Sequence, residues 1–203
     1  MLRYFSQLSY HDPPELSYGR VLLKPLSQLS QEDWKKVHQH FKDKEISHLN
    51  GTPPSRMPLW FLKRLLKADA KRSDRLSYGI FDKTLPFEAY IGTVELYDLS
   101  RYSATLGIII GEKAYWGKGY GPEAMTALLN YAFEELNLDY VRLNTFSDNL
   151  RAQKSFKRLG FVELKRRQAY MGREDIVMEL RSSAWQHLKQ NPPPWHVSFK
   201  DGF

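Results

Sequence analysis

The chain has 203 residues, of which 42% are hydrophobic and 26% charged, ordinary proportions for a globular protein. Its 30 lysines and arginines exceed its 23 acidic residues and give a formal net charge of +7. It has no cysteine, which excludes disulfides, zinc–thiolate sites, iron–sulfur clusters and a cysteine nucleophile. The longest apolar run, at 106–110, is far shorter than the roughly 20 residues of a membrane helix. We therefore expect a cytoplasmic protein.

The first half of the chain predicts one strand and two helices, followed by three strands. Residues 19–26 (GRVLLKPL) are typical of a strand. Residues 30–41 open with Ser30, a favourable helix N-cap, and carry an acidic residue three positions later. A second helix is predicted at 57–71, where leucines recur along one side. The strand-like segments that follow are 75–81, 89–99 and 104–111.

The second half predicts two helices and three more strands. Apolar residues recur at helical spacing after about Pro122, and 139–146 is rich in β-branched and aromatic residues. A further helix is expected within 147–160, before a closing hairpin. This order predicts an α/β (or α+β) domain, with a mixed six- to seven-stranded sheet flanked by about four helices. We expect an N-terminal extension at 1–18, the domain at 19–190 and a Pro/aromatic tail at 191–203.

Glycines alternate with large side chains in YWGKGYGPEAM, at 115–125, between a predicted strand and a predicted helix. Amide groups at a helix N-terminus lack partners and lie at the positive end of the helix dipole. Glycines beside them let the backbone approach an anion closely. The spacing is neither that of a P-loop nor that of a dinucleotide fingerprint. The pattern favours a phosphate-binding loop, and a purely structural turn remains the alternative.

The chain resembles the GNAT superfamily of N-acetyltransferases, and most closely its RimJ/RimL branch of ribosomal-protein N-terminal acetyltransferases. The resemblance is carried by WGKGYG at 116–121, which matches the pyrophosphate loop, and by NLRAQKSFKRLGFVE at 149–163. DIVMEL at 175–180 and the strand at 19–26 add to it, so that it covers roughly residues 19–185. It implies the GNAT fold and acetyl-CoA as co-substrate.

The resemblance also implies which residues bind acetyl-CoA. Loop amides would bind the pyrophosphate, Trp116 would pack the loop on the preceding strand, and the strand would pair with the pantetheine arm. A strand amide would polarise the acetyl carbonyl, as in an oxyanion hole. Asn149 would bond the pantetheine or cap a helix, and two arginines would meet the adenosine phosphates or face solvent. The full set is Ile108, Ile109, Ile110, Trp116, Gly117, Lys118, Gly119, Tyr120, Gly121, Asn149, Arg151 and Arg158.

The catalytic positions of the family are where this sequence departs from the pattern. Thr105 stands where many members have a base Glu, and Phe156 stands where many have an acid Tyr. Ala152 replaces a Ser that is frequent in the RimJ/RimL branch. We expect direct transfer in a ternary complex, with Glu95 as the base and Tyr170 as the acid. The purely structural alternatives are that Glu95 is an exposed carboxylate on a strand and that Tyr170 is a half-buried aromatic residue of the hairpin.

Asp98 and Glu163 remain as further acidic candidates for the catalytic base. The segment 48–61, which includes Trp60 and Phe61, is expected to shape the acceptor cleft, although core packing is an alternative for both aromatics. The acceptor would be an amine, either a protein N-terminus or a small molecule.

The second hypothesis is a non-catalytic GNAT-fold module that binds acyl-CoA or a protein. The isolated positions of the histidines argue against a metal site. Nucleic-acid binding is not expected either, because the sequence shows no basic face with interleaved aromatic residues. The aromatic tail hints at a homodimer, although we favour docking on its own domain.

Overall fold

Eight strands form one mixed sheet in this computed structural model, which describes residues 13–169 and 172–191. The order across the sheet is β1-β2-β3-β4-β5-β6-β8-β7. Every neighbouring pair is antiparallel except β5 and β6, which are parallel. The strands are β1 (Leu16–Tyr18), β2 (Val21–Pro25), β3 (Leu76–Asp82), β4 (Ala89–Tyr97), β5 (Ser103–Ile110), β6 (Tyr140–Phe146), β7 (Val162–Gln168) and β8 (Glu174–Arg181).

Six helices accompany the sheet: α1 (Gln31–Lys42), α2 (Lys44–Asn50), α3 (Leu59–Asp69), α4 (Tyr120–Asn130), α5 (Leu150–Arg158) and α6 (Ser182–Gln190). Ser30 caps α1 in a capping box with Asp33, as the sequence predicted. Gly51, in the left-handed conformation, ends α2. One π-helical turn, Tyr131–Glu135, extends α4.

The helices pack on both faces of the sheet. On one face, Ala124 and Leu128 of α4 and Trp185 of α6 are buried against strand residues that include Val94 and Leu143. On the other face, Trp34 and Val37 of α1 pack with Phe81 and Tyr90 in a second apolar cluster. Burial of this apolar surface is the dominant favourable term for the fold. The two clusters leave the β5–β6 region of the second face uncovered by α1.

The parallel pairing between β5 and β6 is short. It joins Ser103–Thr105 only to residues 140–142, although β5 continues to Ile110 and β6 to Phe146. The two strands therefore separate beyond Thr105. Each keeps its antiparallel neighbour on the outer side, β4 for β5 and β8 for β6. This divergence opens a cleft in the middle of the sheet and determines where the site lies.

The mixed α/β architecture agrees with the sequence-based prediction. The described residues form eight strands rather than six or seven, and six helices rather than four. The additional elements are β1, α2 and α6. The sheet begins at Leu16, so that the last residues of the predicted N-terminal extension belong to it. The predicted tail lies outside the described residues from position 192 onward, as do residues 1–12.

Candidate active site

A cavity of about 990 Å³ occupies the cleft between the diverging ends of β5 and β6. Residues 106–110 of β5 line one side, and 144–146 of β6 with the start of α5 line the other. Ile46 and Leu49 of α2 contribute apolar surface, and the glycine loop lies at one end. The cavity therefore brings together the two segments that carry the sequence motifs.

The backbone conformation of the glycine loop requires glycine at two of its positions. Gly117 and Gly119 have φ of 75° and 91°, in the left-handed region that favours glycine. Gly119 is also the N-cap of α4, so the helix begins two residues before the predicted start at Pro122. Gly121 has an ordinary φ, and a Cβ there would meet only Ile110 Cγ1, at 3.7 Å. Its lack of a side chain instead opens the cavity beside it.

The amide groups of 117–121 are available to a ligand. Within the described part of the chain, none of them donates a hydrogen bond, whereas the next amide in the helix, that of Glu123, bonds to Gly119 O at 3.1 Å. These groups lie at the N-terminus of α4, where the helix dipole is positive. Their arrangement fits an anion such as a pyrophosphate.

Trp116 fixes the loop to the end of β5. Its Nε1 donates to Ile110 O at 2.6 Å. The Arg151 guanidinium stacks on the indole ring, 3.6 Å from its centroid. The hydrogen bond to Ile110 O agrees with the predicted role of Trp116 in packing the loop onto the preceding strand. The stacking contact joins Arg151 of α5 to the loop, so that a cation lines the same cavity as the loop.

Lys118 and Tyr120 do not present their side chains to the cavity, although they belong to the predicted loop. Tyr120 is buried, and its hydroxyl donates to Asp82 Oδ2 at 3.0 Å. Lys118 O accepts a hydrogen bond from Arg20 Nη2 at 2.7 Å. Only the backbone amides of these two residues are therefore suited to a ligand.

The start of α5 supplies polar groups on the opposite side. Asn149 caps the helix, its Oδ1 accepting from Ala152 N at 3.2 Å, and it also lines the cavity. Its Nδ2 has no acceptor among the residues described here, so capping leaves a donor for a ligand. Arg158 and Lys154 line the same side, the latter not singled out from the sequence. This side is strongly positive.

Glu95 faces the cavity from β4. Its Oε2 accepts from Arg75 Nη1 at 2.8 Å and from Ser77 Oγ at 3.3 Å. A Cβ built on Gly107 would lie 3.3 Å from Oε1, so the carboxyl group lies directly over this glycine of β5. Burial raises the pKa of Glu95 above its ordinary value, although Arg75 and Ser77 act in the opposite direction. The Glu95 side chain is 33% exposed, so it is a half-buried carboxylate rather than a fully exposed one.

The other catalytic candidates are placed differently. Tyr170 lies outside the described residues. Asp98 lies in the turn after β4 and Glu163 pairs with Arg166 at 2.6 Å on β7, and neither lines the cavity. Phe156 does line it, at the customary acid position. Tyr97, which the sequence reasoning missed, lines it beside Glu95.

The segment 48–61 reaches the cavity through α2 rather than through its aromatics. Leu49 and Asn50 line the cavity, whereas Trp60 and Phe61 do not. Trp60 and Phe61 instead pack edge to face with one another, 5.5 Å apart, with Trp60 largely exposed. The helix α2 was itself not predicted, so its position beside the cavity could not be anticipated.

The family model described as acetyltransferase (GNAT) domain matches residues 20–162, which include the glycine loop and all but the last residue of the second motif. The chain belongs to the GNAT acetyltransferase family. The family is described as one of acetyltransferases. A curated relative, the probable N-acetyltransferase YjcK of Bacillus subtilis (strain 168), is 31% identical over 94 residues. That match covers 45% of this chain and only 50% of the relative.

Solved structures share the GNAT fold. A spermidine N-acetyltransferase from Vibrio cholerae, in complex with CoA and spermine, superposes with a TM-score of 0.73 at 21% identity, covering 82% of this chain and 98% of the other. A GCN5-related N-acetyltransferase from Brucella melitensis gives a TM-score of 0.70 at 18% identity, covering 89% of this chain and 85% of the other. At such identities the likeness establishes the fold, and the fold prediction is confirmed.

The described residues contain no group of three or more His, Asp or Glu side chains placed to hold a metal ion. They also contain no helix that is long and apolar enough to cross a membrane.

Proposed function

We propose that this protein transfers an acetyl group from acetyl-CoA directly to the nitrogen of an amine. The observation that carries the proposal is that one cavity has free loop amides at one end and, farther along, Glu95 of β4 opposite Gly107 of β5. The first feature is suited to a pyrophosphate and the second to an amine proton. Acetyl-CoA and the acceptor amine, bound together in this cavity, would account for both features.

The chain's own residues account for binding and orientation of acetyl-CoA. The amides of 117–121 fit the pyrophosphate, and Arg151, Lys154 and Arg158 place positive charge where phosphates would lie. The side of β5 that faces away from β4 lacks a strand partner beyond Thr105, so Ile108, Ile109 and Ile110 fit an extended pantetheine arm. An amide of this stretch would polarise the acetyl carbonyl.

Glu95 would accept the proton that the amine loses as the carbon–nitrogen bond forms. Its Oε1 accepts no hydrogen bond from the described residues and is therefore free for this role. A pKa raised above the ordinary value makes the carboxylate a better base near neutral pH. With no cysteine in the chain, an acyl-cysteine intermediate is excluded, and direct transfer is the simplest path.

Two observations bear on the class of the acceptor, and they favour different amines. The motifs resemble the RimJ/RimL branch, which favours a protein N-terminus, whereas one structural neighbour is described as a spermidine N-acetyltransferase. We keep both in the proposal, as a protein N-terminus or a small-molecule amine.

The test is release of free CoA thiol when the protein is mixed with acetyl-CoA and each of several amines. The panel is a short peptide, the same peptide with a blocked N-terminus, spermidine and lysine amide. We expect CoA release with at least one amine, and gain of one acetyl group by that amine in mass spectrometry. Binding of acetyl-CoA without release for any amine would favour the alternative, a non-catalytic acyl-CoA-binding module.

A further inference from the structure

The cavity lacks a proton donor at the position where the family customarily has one. Phe156 stands there, 6% exposed, and packs edge to face on Phe161 with centroids 6.1 Å apart. A phenyl ring has no proton to give. When the carbon–sulfur bond of a thioester breaks, the sulfur leaves as a thiolate, which a nearby acid can protonate. Another described residue could serve.

Tyr97 lies beside Glu95 over the same glycine. A Cβ built on Gly107 would lie 3.5 Å from Tyr97 Cε1 and 3.3 Å from Glu95 Oε1. The pairing of β4 with β5 explains this, because Glu95 is opposite Gly107 and Tyr97 is opposite Thr105. A Cβ at 107 would crowd the Glu95 carboxyl group slightly and would lie in van der Waals contact with the Tyr97 ring. The absence of one lets a carboxyl group and a phenol meet at the wall of the cavity.

The hydroxyl of Tyr97 is free to donate. It has no hydrogen-bond partner among the residues that the structure describes, although the residue is half-buried and lines the cavity. Tyr115, the other tyrosine among the described residues that line the cavity, is engaged, since its hydroxyl interacts with Asp82. Ser155 also lines the cavity, but its hydroxyl donates to Arg151 O at 3.2 Å.

The surroundings of Tyr97 keep its proton in place until it is needed. Burial raises the pKa of Tyr97, and the charges of Glu95, Asp98 and Asp175 raise it further. The Arg75 guanidinium, 5.2 Å from the ring centroid, acts in the opposite direction. The phenol is therefore protonated at neutral pH, which a proton donor requires.

We propose that Tyr97 is a catalytic residue that donates its hydroxyl proton to the departing sulfur of CoA. The inference rests on the proposed acetyl transfer. The amine lone pair forms the carbon–nitrogen bond, and the carbon–sulfur electron pair goes to sulfur, which takes the proton of Tyr97. Glu95 receives the proton lost by the nitrogen. Transfer of that proton from the Glu95 carboxyl to the Tyr97 phenolate, through solvent, restores both groups, and the net products are the amide and CoA thiol.

The test compares Tyr97→Phe with Tyr102→Phe, a control in which the hydroxyl of an exposed tyrosine outside the cavity is removed. We expect Tyr97→Phe to lower kcat about 100-fold. The dissociation constant for acetyl-CoA and the Tm should stay near the wild-type values, because the ring remains. Tyr102→Phe should leave kcat unchanged.

A second variant tests the function of the lost phenol rather than its packing. Phe156→Tyr, added to Tyr97→Phe, places a phenol at the customary acid position, and we expect it to restore at least about 10-fold in kcat. Wild-type kcat in Tyr97→Phe would overturn the inference while leaving the proposed function intact, and so would a comparable loss only in Tyr170→Phe. No CoA release by the wild-type protein with any amine would overturn both proposals.

Discussion

Arg20 and Glu123 form a multiply hydrogen-bonded pair between the β1–β2 turn and the first turn of α4. Arg20 Nε and Nη2 donate to Glu123 Oε1 at 2.9 and 2.5 Å, and the Arg20 amide donates to Oε2 at 2.7 Å. Only 2% of the Glu123 side chain is exposed. Because Arg20 Nη2 also bonds Lys118 O, this turn holds the glycine loop in place.

Removal of the arginine should destabilise the protein and loosen the loop. Arg20→Met leaves a carboxylate buried without its cation, for which we expect a loss of about 3 kcal/mol in the free energy of unfolding. Affinity for acetyl-CoA should fall as well. Urea unfolding and calorimetric titration measure the two effects. The double variant with Glu123→Gln should regain part of the stability, and equal losses in single and double variants would contradict the pairing.

The three loop glycines should respond differently to alanine. Gly117→Ala and Gly119→Ala place a Cβ at positive φ, which costs about 1–2 kcal/mol at each position. Gly121→Ala meets no such cost and fits beside Ile110. We therefore expect Gly121→Ala to keep the wild-type Tm and to weaken acetyl-CoA binding by crowding the cavity. Thermal unfolding and titration separate these cases, and wild-type affinity in Gly121→Ala would show that no ligand approaches there.

Glu95→Gln should lower kcat by about 100-fold or more, because the amine loses its proton acceptor. Glu95 must be ionised to act, so the wild-type rate should rise with pH through its pKa, which burial places above the ordinary value. Glu95→Gln should lack this limb of the pH–rate profile. Asp69→Asn is the matched control, because Asp69 also pairs with Arg75, with 2.9 Å between Asp69 Oδ2 and Arg75 Nη1. An unchanged profile in Glu95→Gln would contradict the assignment.

His40 should make stability depend on pH. Its ring lies against Gly111, stacks on Tyr90 at 5.6 Å and bonds Glu112 Oε1 at 3.1 Å. Burial lowers the pKa of His40, more than Glu112 raises it. The unfolded chain therefore binds a proton more readily, and folding stability falls as pH drops below about 6.5 towards the folded pKa.

The comparison for His40 uses Tm measured between pH 7.5 and pH 5.5. The wild-type Tm should fall more over this range than that of His40→Gln, which lacks the group. His187→Gln, on the exposed part of α6, is the control and should follow the wild type. Parallel curves for wild type and His40→Gln would contradict the expectation.

Local signals in the sequence predicted much of the fold. The capping box at Ser30 and the β-branched and aromatic residues of β6 depend on neighbouring residues and therefore mark their elements well. β1 has three residues and α2 has seven, too few for a periodic pattern to show. The helix α6 is stabilised by burial of Trp185, whose Nε1 donates to Asn130 Oδ1 at 3.2 Å, a contact between distant parts of the chain.

As with the fold, the parts of the site that depend on contiguous residues could be predicted from the sequence, and the parts that depend on distant contacts could not. The phosphate-binding loop could be inferred because its glycines and the following helix are contiguous. Tyr97 could not be inferred, because its position beside Glu95 depends on the register between β4 and β5. The hold of Arg20 on the loop joins residues about a hundred positions apart, and no sequence motif marks it.

The most direct test of the central claim, that this cavity binds acetyl-CoA through its glycine loop, is thermal unfolding with and without acetyl-CoA, with ATP as a phosphate control. At 100 times its dissociation constant, a ligand that binds only the folded state adds about 2.7 kcal/mol of stability. For a chain of this size we expect the Tm to rise by roughly 5–10 °C with acetyl-CoA and to change little with ATP. An unchanged Tm with acetyl-CoA, or an equal shift with ATP, would contradict the claim.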